Sequence, residues 1–407
     1  MYRFNKQKKQ NFILDTPDFE TRLSILKSKK NKKSLVFIKN VFDNSTFRYR
    51  AYNMAQAFEG FETEYVITYF LNSEIEGILP AINSIDVIIL QRATWYYSID
   101  TLVYLAKNKK IPLIYDIDDL IYSPNYVKEY INCINTNAAN LEDYKDVIFD
   151  AANYNIVMNL CDGYITTNDY LAKIIQEDFN KPVWVIQNYL NKEQEIISAE
   201  LVEKKTTNYD NSKFVIGYFS GSASHNNDFR QCSDALLHIM STYKDVYIKI
   251  VGFMNLPSSF SLFEKRIIST PLVDYTNLQV EIAEVDLNII PLDKNKFTNC
   301  KSELKYFEAS ILKVPSIATD TYIYQKCIHH EFNGLLVKDN VNWKETIELV
   351  YLDRAFSENL ASEAFKYCKE KYSNSNQVKK ISSVFDEIIA EFAKQKTYNL
   401  SKPTNHF

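Results

Sequence analysis

From residue 34 onward, short runs of apolar, β-branched residues alternate with longer stretches whose apolar positions recur every three or four residues. SLVFIKN (34–40), EYVITYF (64–70), IDVIILQ (85–91), IPLIYDID (111–118), GYITT (163–167) and VWVIQN (183–188) read as strands, and residues 47–59 as a helix ended by Gly60. A polar stretch at 191–213 holds no strand and reads as a linker. The pattern then restarts with KFVIGYFSG (213–221), VYIKIVGF (246–253), VDLNIIPL (285–292), VPSIATD (314–320) and GLLVKD (334–339). Helices are expected near 227–243, 300–313 and 342–371, with a last amphipathic one at 377–394. Such alternation is the mark of βαβ units around parallel sheets, so the chain is read as α/β with two Rossmann-like, doubly wound domains in tandem. The expected division is a basic segment at 1–33, a first domain at 34–190, the linker at 191–213, a second domain at 214–375 and a closing helix segment at 376–407.

Composition agrees with that pattern. A chain of 407 residues suits two domains, and 46% hydrophobic with 24% charged residues falls in the range of soluble globular proteins. Only 7 Gly and 10 Pro argue against an all-β fold, which needs a turn every few residues. No apolar run approaches the roughly 18 residues of a membrane span and the first residues lack a signal-peptide core, so a cytoplasmic location is expected. Cys133, Cys161, Cys232, Cys300, Cys327 and Cys368 form no C-x-x-C pair, which points to reduced structural thiols rather than zinc or disulfides.

The net charge of −4 hides an asymmetry: residues 1–40 hold 11 Lys/Arg against 3 Asp/Glu, a local +8 that leaves −12 for the rest. The run KSKKNKK (27–33) suits either contact with an anionic membrane surface or a solvated face. No nucleic-acid-reading motif accompanies it, and nucleic acid is not expected as a partner.

Ligands of open α/β sheets bind beyond the carboxyl ends of the strands, so chemistry is sought there. With 300–313 as a helix, Lys301, Lys305 and Glu308 share one face. Near a helix N-terminus, Lys301, Ser302 and Lys305 suit a diphosphate, and Glu308 a ribose; an ordinary surface helix with a Lys–Glu pair fits the same spacing. Ser220, Gly221 and Ser222 form a small-residue loop in which backbone amides reach phosphate oxygens, with His225 beside it as a donor. The DIDDL run (116–120) invites a metal, a cap or an acceptor-facing role, and Asp119 is the chosen candidate among its carboxylates. Arg48, Arg50 and Arg92 follow strands of the first domain and suit an anionic acceptor or donor phosphate, or structural ion pairs. No metal site is expected, because His329 and His330 have no third ligand nearby. A nicotinamide dehydrogenase is unsupported without the glycine fingerprint.

IGYFSGSASHNNDF (216–229), LNIIPL, KSELKYFEASILKVPSIA and NGLLV resemble, in order, the nucleotide-sugar-binding half of retaining GT-B glycosyltransferases of the family 4 type. STFRYRAYNMAQAFE (45–59), DVIILQR, LIYDIDDLIY and TTNDYLAKII resemble the acceptor half of bacterial polysaccharide and lipopolysaccharide members. The resemblance implies two facing domains with a cleft between them, the last helix crossing back to the first domain, and Asp119 across the cleft from the phosphate site. It implies sugar transfer with retention from a nucleotide diphosphate sugar to a hydroxyl of a glycan or lipid-linked glycan, without metal or other cofactor. Glu308 matches the second Glu of the family's E-x7-E motif, which holds the ribose, while Cys300 stands where the first Glu would be. Arg48 matches its S-x-x-R pattern. The expected catalytic set is Glu308, Lys301 and Asp119, the donor set Ser220, Gly221, Ser222, His225, Lys301, Ser302, Lys305 and Glu308, and the acceptor or phosphate side Arg48 and Arg92. The rival reading, prompted by Cys300, is a non-catalytic GT-B partner that binds a glycan or a sister transferase.

Overall fold

The structure is a computed structural model that describes residues 14, 16–29, 31–42, 45–134, 141–207, 212–221, 226–339 and 342–401. These pack as two compact units: the described residues of Asp15–Asp118, Phe149–Asn188 and Asn374–Phe407 form the first, and those of Met1–Leu14, Asp119–Ile148 and Tyr189–Ser373 the second.

Each unit is built on one six-stranded sheet, parallel in every pairing. The first contains β1 (Lys33–Lys39), β2 (Tyr65–Leu71), β3 (Val87–Gln91), β4 (Leu113–Asp116), β5 (Gly163–Thr166) and β6 (Val183–Val185) in the order β2-β1-β3-β4-β5-β6. Leu35 lies opposite both Ile67 and Val87, so β1 is a central strand, and the chain reverses direction across the sheet between β1 and β3. The second contains β7 (Phe214–Ser220), β8 (Val246–Gly252), β9 (Ile267–Thr270), β10 (Leu287–Ile290), β11 (Ser316–Thr319) and β12 (Leu335–Val337) in the order β12-β11-β10-β7-β8-β9, with the reversal between β7 and β10. Those two reversals are where such sheets hold ligands. The short β9 escaped the sequence reading because an edge strand half open to solvent lacks a continuous apolar run.

Several expected elements take another form. The 191–213 linker contains a helix, Lys192–Thr207, packed on the helix Tyr275–Ala283 through Ile197 and Leu201, with Lys205 Nζ donating to Val285 O at 3.1 Å. Two apolar positions four apart make too thin a stripe to read as amphipathic. The expected 300–313 helix is broken: Lys296–Asn299 ends at Cys300, and a second helix covers only Leu304–Ser310. Between them Glu303, 1% exposed, accepts the Tyr372 hydroxyl at 2.9 Å. Residues 119–148, expected in the first domain, belong to the second unit because Leu120, Tyr122, Val127 and Ile131 bury there. The described part of the basic segment is no separate piece either. Its helix Phe19–Lys27 packs on β2 through Leu23 and Leu26, Lys29 pairs with Asp86 at 2.6 Å and Lys33 with Asp386 at 3.2 Å. Lys30 lies outside the described residues.

The long helix Gln377–Ser401 belongs to the first unit, against the helix Asn53–Phe58, with Phe385 6.2 Å from the Tyr65 ring. Also in this unit, the 45–58 helical stretch contains a π-helical turn, Arg48–Tyr52. That turn delivers Arg50 to the end of β4. The guanidinium donates to Asp116 at 2.9–3.2 Å and to Asn188 Oδ1 at 3.2 Å, with both ionic side chains wholly buried. Arg50 is therefore committed to structure rather than to an incoming anion. Breaking such a pair from one side strands a charge, so Arg50→Met should cost about 3–5 kcal/mol, whereas the double variant Arg50→Met/Asp116→Leu should recover most of it. Urea unfolding of the three proteins checks this, and a double variant no better than the single one would contradict it.

Candidate functional site

In the second unit the carboxyl ends of β7 and β10 bring together much of the expected chemistry. β7 ends at Ser220, 2% exposed, whose carbonyl accepts the Phe253 amide at 3.2 Å. That approach requires Gly252, at φ +95°, because a Cβ there would stand 1.9 Å from the Ser220 oxygen. Gly221 is less constrained, with open space where a Cβ would go. Ser222 and His225 lie outside the described residues.

After β10 the chain passes through Asp293 into the helix Lys296–Asn299, which a reciprocal Asn295–Thr298 pair caps. Asp228, in the first turn of the helix Asn226–Thr242, accepts the Asp293 amide at 3.0 Å. Burial, and then Asp228, raise the Asp293 pKa, and Gln231 donates to the same carboxylate. Neither Asp228 nor Asp293 was singled out from sequence; an acidic residue early in a helix is too common a feature.

The lysines separate into two kinds. Lys301 precedes its helix instead of lying on it, and its ammonium pairs with Asp119 at 3.2 Å over the Phe297 ring at 4.3 Å. Asp119 thus lies in the same unit as Lys301, not in the opposite domain. It is brought there by the segment after β4, whose Tyr130 ring sits 5.3 Å from Phe297 and whose Tyr126 ring lies 4.4 Å from Lys296 Nζ. Part of the expected positive charge is therefore already neutralised. Lys305 is different. Its nitrogen is sealed from solvent with no hydrogen-bond partner among the described residues, 5.2 Å from the centre of the Tyr218 ring. Burial brings its pKa down to about 8 and Lys301 adds to that push, while Asp228 and Glu308 pull it up.

Glu308, expected on an open helix face, is 7% exposed, so the ordinary surface-helix reading fails along with the open-face one. The helix that holds it is fastened by Asn288 Nδ2, which donates to Lys305 O and Ser316 Oγ at 3.0 Å each. Ser302 is partly exposed in the turn between the two short helices. Cys300 is wholly buried, donates to Lys296 O at 3.2 Å, and has its pKa pushed up by burial, so it offers no carboxylate-like acceptor.

The arginines lie in the first unit. Arg48 is buried with its guanidinium 4.5 Å from the Tyr49 ring centre, and Arg92 pairs with Asp118 at 2.5 Å. Asp116 and Asp118 thus each face an arginine, and among the described residues no cluster of metal-ligating side chains is found. No described helix is long and apolar enough to cross a membrane.

No family model matches the chain, and no curated protein matches it. Solved structures do. HepE from Anabaena, in complex with UDP and glucose, aligns at 12% identity over 87% of this chain and 100% of its own, with a TM-score of 0.58. Sucrose-phosphate synthase from Thermosynechococcus elongatus aligns at 13% identity over 88% and 100%, TM-score 0.57. A glycosyltransferase from Rickettsia africae aligns at 13% over 88% and 99%, TM-score 0.59. At this identity the likeness is one of fold: two parallel α/β units, as read from the strand pattern, of the GT-B type that the resemblance implies.

An ammonium buried without a hydrogen bond is a cost to the fold. Lys305→Met is therefore expected to hold or raise the urea midpoint at pH 7, and a loss above about 1 kcal/mol would assign Lys305 a structural partner. The sign with pH follows from linkage. With its folded pKa near 8, below the unfolded value, Lys305 binds fewer protons when folded, so its penalty is full below pH 8 and fades as pH rises towards the unfolded pKa. Any advantage of Lys305→Met in unfolding free energy should shrink between pH 8 and 10.

Proposed function

We propose that the chain is a retaining glycosyltransferase of the family 4 type, moving a sugar from a nucleotide diphosphate sugar to a hydroxyl of a glycan. The observation that supports it best is Lys305: a buried cation lacking a hydrogen bond, at the reversal point of the second sheet, with Glu308 one turn further on. A diphosphate placed beside Lys305 would supply the missing acceptor, and Glu308 would take the ribose hydroxyls. Lys301, released from or shared with Asp119, would add a second charge, with Ser302, the Ser220 and Gly221 amides and the following Ser222 and His225 completing the donor set. As the anomeric bond breaks, negative charge grows on the leaving diphosphate, so cationic groups already in place act chiefly on the transition state. Retention needs no protein base if the leaving phosphate oxygen takes the acceptor proton on the same face.

The fold likeness to HepE, solved with UDP and glucose, agrees with a nucleotide-sugar donor without naming it. A role in surface polysaccharide or glycoconjugate synthesis, a cytoplasmic site of action and contact with the inner face of a membrane extend the same reading. The membrane contact has lost ground, because Lys29 and Lys33 already face carboxylates. The second reading, a non-catalytic GT-B partner, is favoured by Cys300 alone, which puts a buried thiol where the family pattern has a carboxylate.

Calorimetry with UDP-, GDP- and dTDP-sugars, followed by assay of sugar release, distinguishes the two. The enzyme reading expects binding and slow donor hydrolysis; binding without turnover across the panel and a range of glycan acceptors favours the partner reading. Glu308→Gln and Lys305→Met should each weaken donor binding by about 1.5–3 kcal/mol, the worth of a hydrogen bond to a charged group. Unchanged affinity in either folded variant removes that residue from the site. Turnover should persist in excess EDTA, and activity that returns only with Mn²⁺ or Mg²⁺ would transfer the cationic task from the lysines to a metal.

A further inference from the structure

The first unit contains a second buried lysine whose ammonium makes no hydrogen bond among the described residues. Lys39 is the last residue of β1, at the reversal between β1 and β3, and is only 4% exposed. Among the described residues no hydrogen bond or ion pair engages its nitrogen, although two carboxylates stand close enough to act on it. Both already have an arginine: Asp116 is gripped by Arg50, and Asp118 receives Arg92 Nε at 2.5 Å. The strand ends therefore gather Lys39, Arg50 and Arg92 against Asp116 and Asp118, one positive charge in excess. Burial and Arg92 bring the Lys39 pKa down to about 8, while Asp118 and Asp116 raise it.

A charge largely withdrawn from water and without a hydrogen bond destabilises a fold. The sense of such a group lies in a partner yet to arrive, and the carboxyl edge beside a reversal point is where ligands enter these sheets. The neighbouring loop points the same way. Arg92, at φ +44°, opens the turn after β3, and Trp95, Tyr96 and Tyr97 follow with 47–76% of their surface in solvent. Asn40, next after Lys39, donates to Thr94 Oγ1 at 3.4 Å, so this aromatic loop is tied to the end of β1. Flat apolar rings beside a cation suit a ligand with C–H faces and a negative charge.

We propose that Lys39 and Arg92 form an anion-binding site for a sugar bearing a phosphate or carboxylate, whose ring rests on the Trp95–Tyr96 surface. On the glycosyltransferase reading, this makes the acceptor an acidic glycan; the anion site itself stands without that reading. The incoming oxyanion accepts from the Lys39 ammonium and the Arg92 guanidinium, and the excess charge is neutralised. Arg50, Asp116 and Asp118 face the same space and remain paired with one another and with Arg92.

The test is calorimetry on the full chain at pH 7 with glucose 6-phosphate, glucuronate, neutral glucose and, in parallel, UDP. Glucose 6-phosphate or glucuronate should bind at least about tenfold more tightly than glucose, and whichever binds better tells a phosphate from a carboxylate ligand. In Lys39→Met and Lys39→Gln that binding should fall about tenfold or more with UDP affinity unchanged, and Lys39→Arg should restore part of it. Wild-type binding should also weaken as pH rises from 7 to 9, through the Lys39 pKa near 8, with no such slope in Lys39→Met. Two substitutions, checked by circular dichroism, guard against a variant that simply fails to fold. UDP binding without any binding of either acidic sugar at about 10 mM, or acidic-sugar binding that ignores Lys39, overturns the proposal and leaves the transferase reading intact. Lys39-dependent binding in a chain that takes up no nucleotide does the reverse. Vesicle binding lost in Trp95→Ala, without sugar binding, would overturn it in favour of a lipid surface.

Discussion

A parallel sheet covered on both faces admits charge inside its strands only where that charge is paired, and that constraint organises this protein. The strand interiors are largely apolar, with β7 buried along its whole length and β1 from its second residue on, and the exceptions are paired: Lys249 in the middle of β8 meets Glu281 and Glu284, and Asn288 of β10 is hydrogen-bonded. Polar chemistry is displaced to the carboxyl ends, where backbone groups run out of strand partners and loops begin. In the first unit those ends collect Lys39, Arg92, Asp116 and Asp118, and the π-helical turn of Arg48–Tyr52 adds Arg50 to neutralise the most deeply buried carboxylate. Without that pair, the end of β4 would hold a bare charge in a medium that cannot solvate it.

Both units repeat one arrangement. At each reversal point most charges are matched, Arg50 with Asp116 and Arg92 with Asp118 in one, Lys301 with Asp119 in the other, and one buried lysine is left without a hydrogen bond. Lys39 and Lys305 each have a pKa near 8 for the same leading reason, loss of water. Sites that must receive an anion are expected to keep an uncompensated cation in the empty state, because a fully paired lysine would have to break a bond before making one. The stability given up at these positions is what the proposed ligands would return.

The departures from the family pattern follow the same logic. Cys300 ends a four-residue helix with its thiol turned to a backbone carbonyl, so no carboxylate stands at that position. Asp119 pairs with Lys301, and its neighbours Asp116 and Asp118 are held by arginines.

The sequence by itself determined the architecture. Eleven of the twelve strands were legible as apolar, β-branched runs, including the half-open edge strand β6, and β9 was missed because its short IIST run breaks into polar residues. Lys301, Lys305 and Glu308 were legible as candidates, and so were Asp119 and Arg92, since their residue types after strands already suggest anion chemistry. Tertiary structure alone decided who faces whom. It brought Asp119 to Lys301 by burying Leu120, Tyr122, Val127 and Ile131 in the second unit, and it turned the sparse apolar positions of Lys192–Thr207 inward. It also distinguished Arg50, spent on Asp116, from Lys39, which has no bond and which nothing in the strand SLVFIKN marked out. Pairing is a property of distance in space, and periodicity along a chain reports only which side of an element a residue takes.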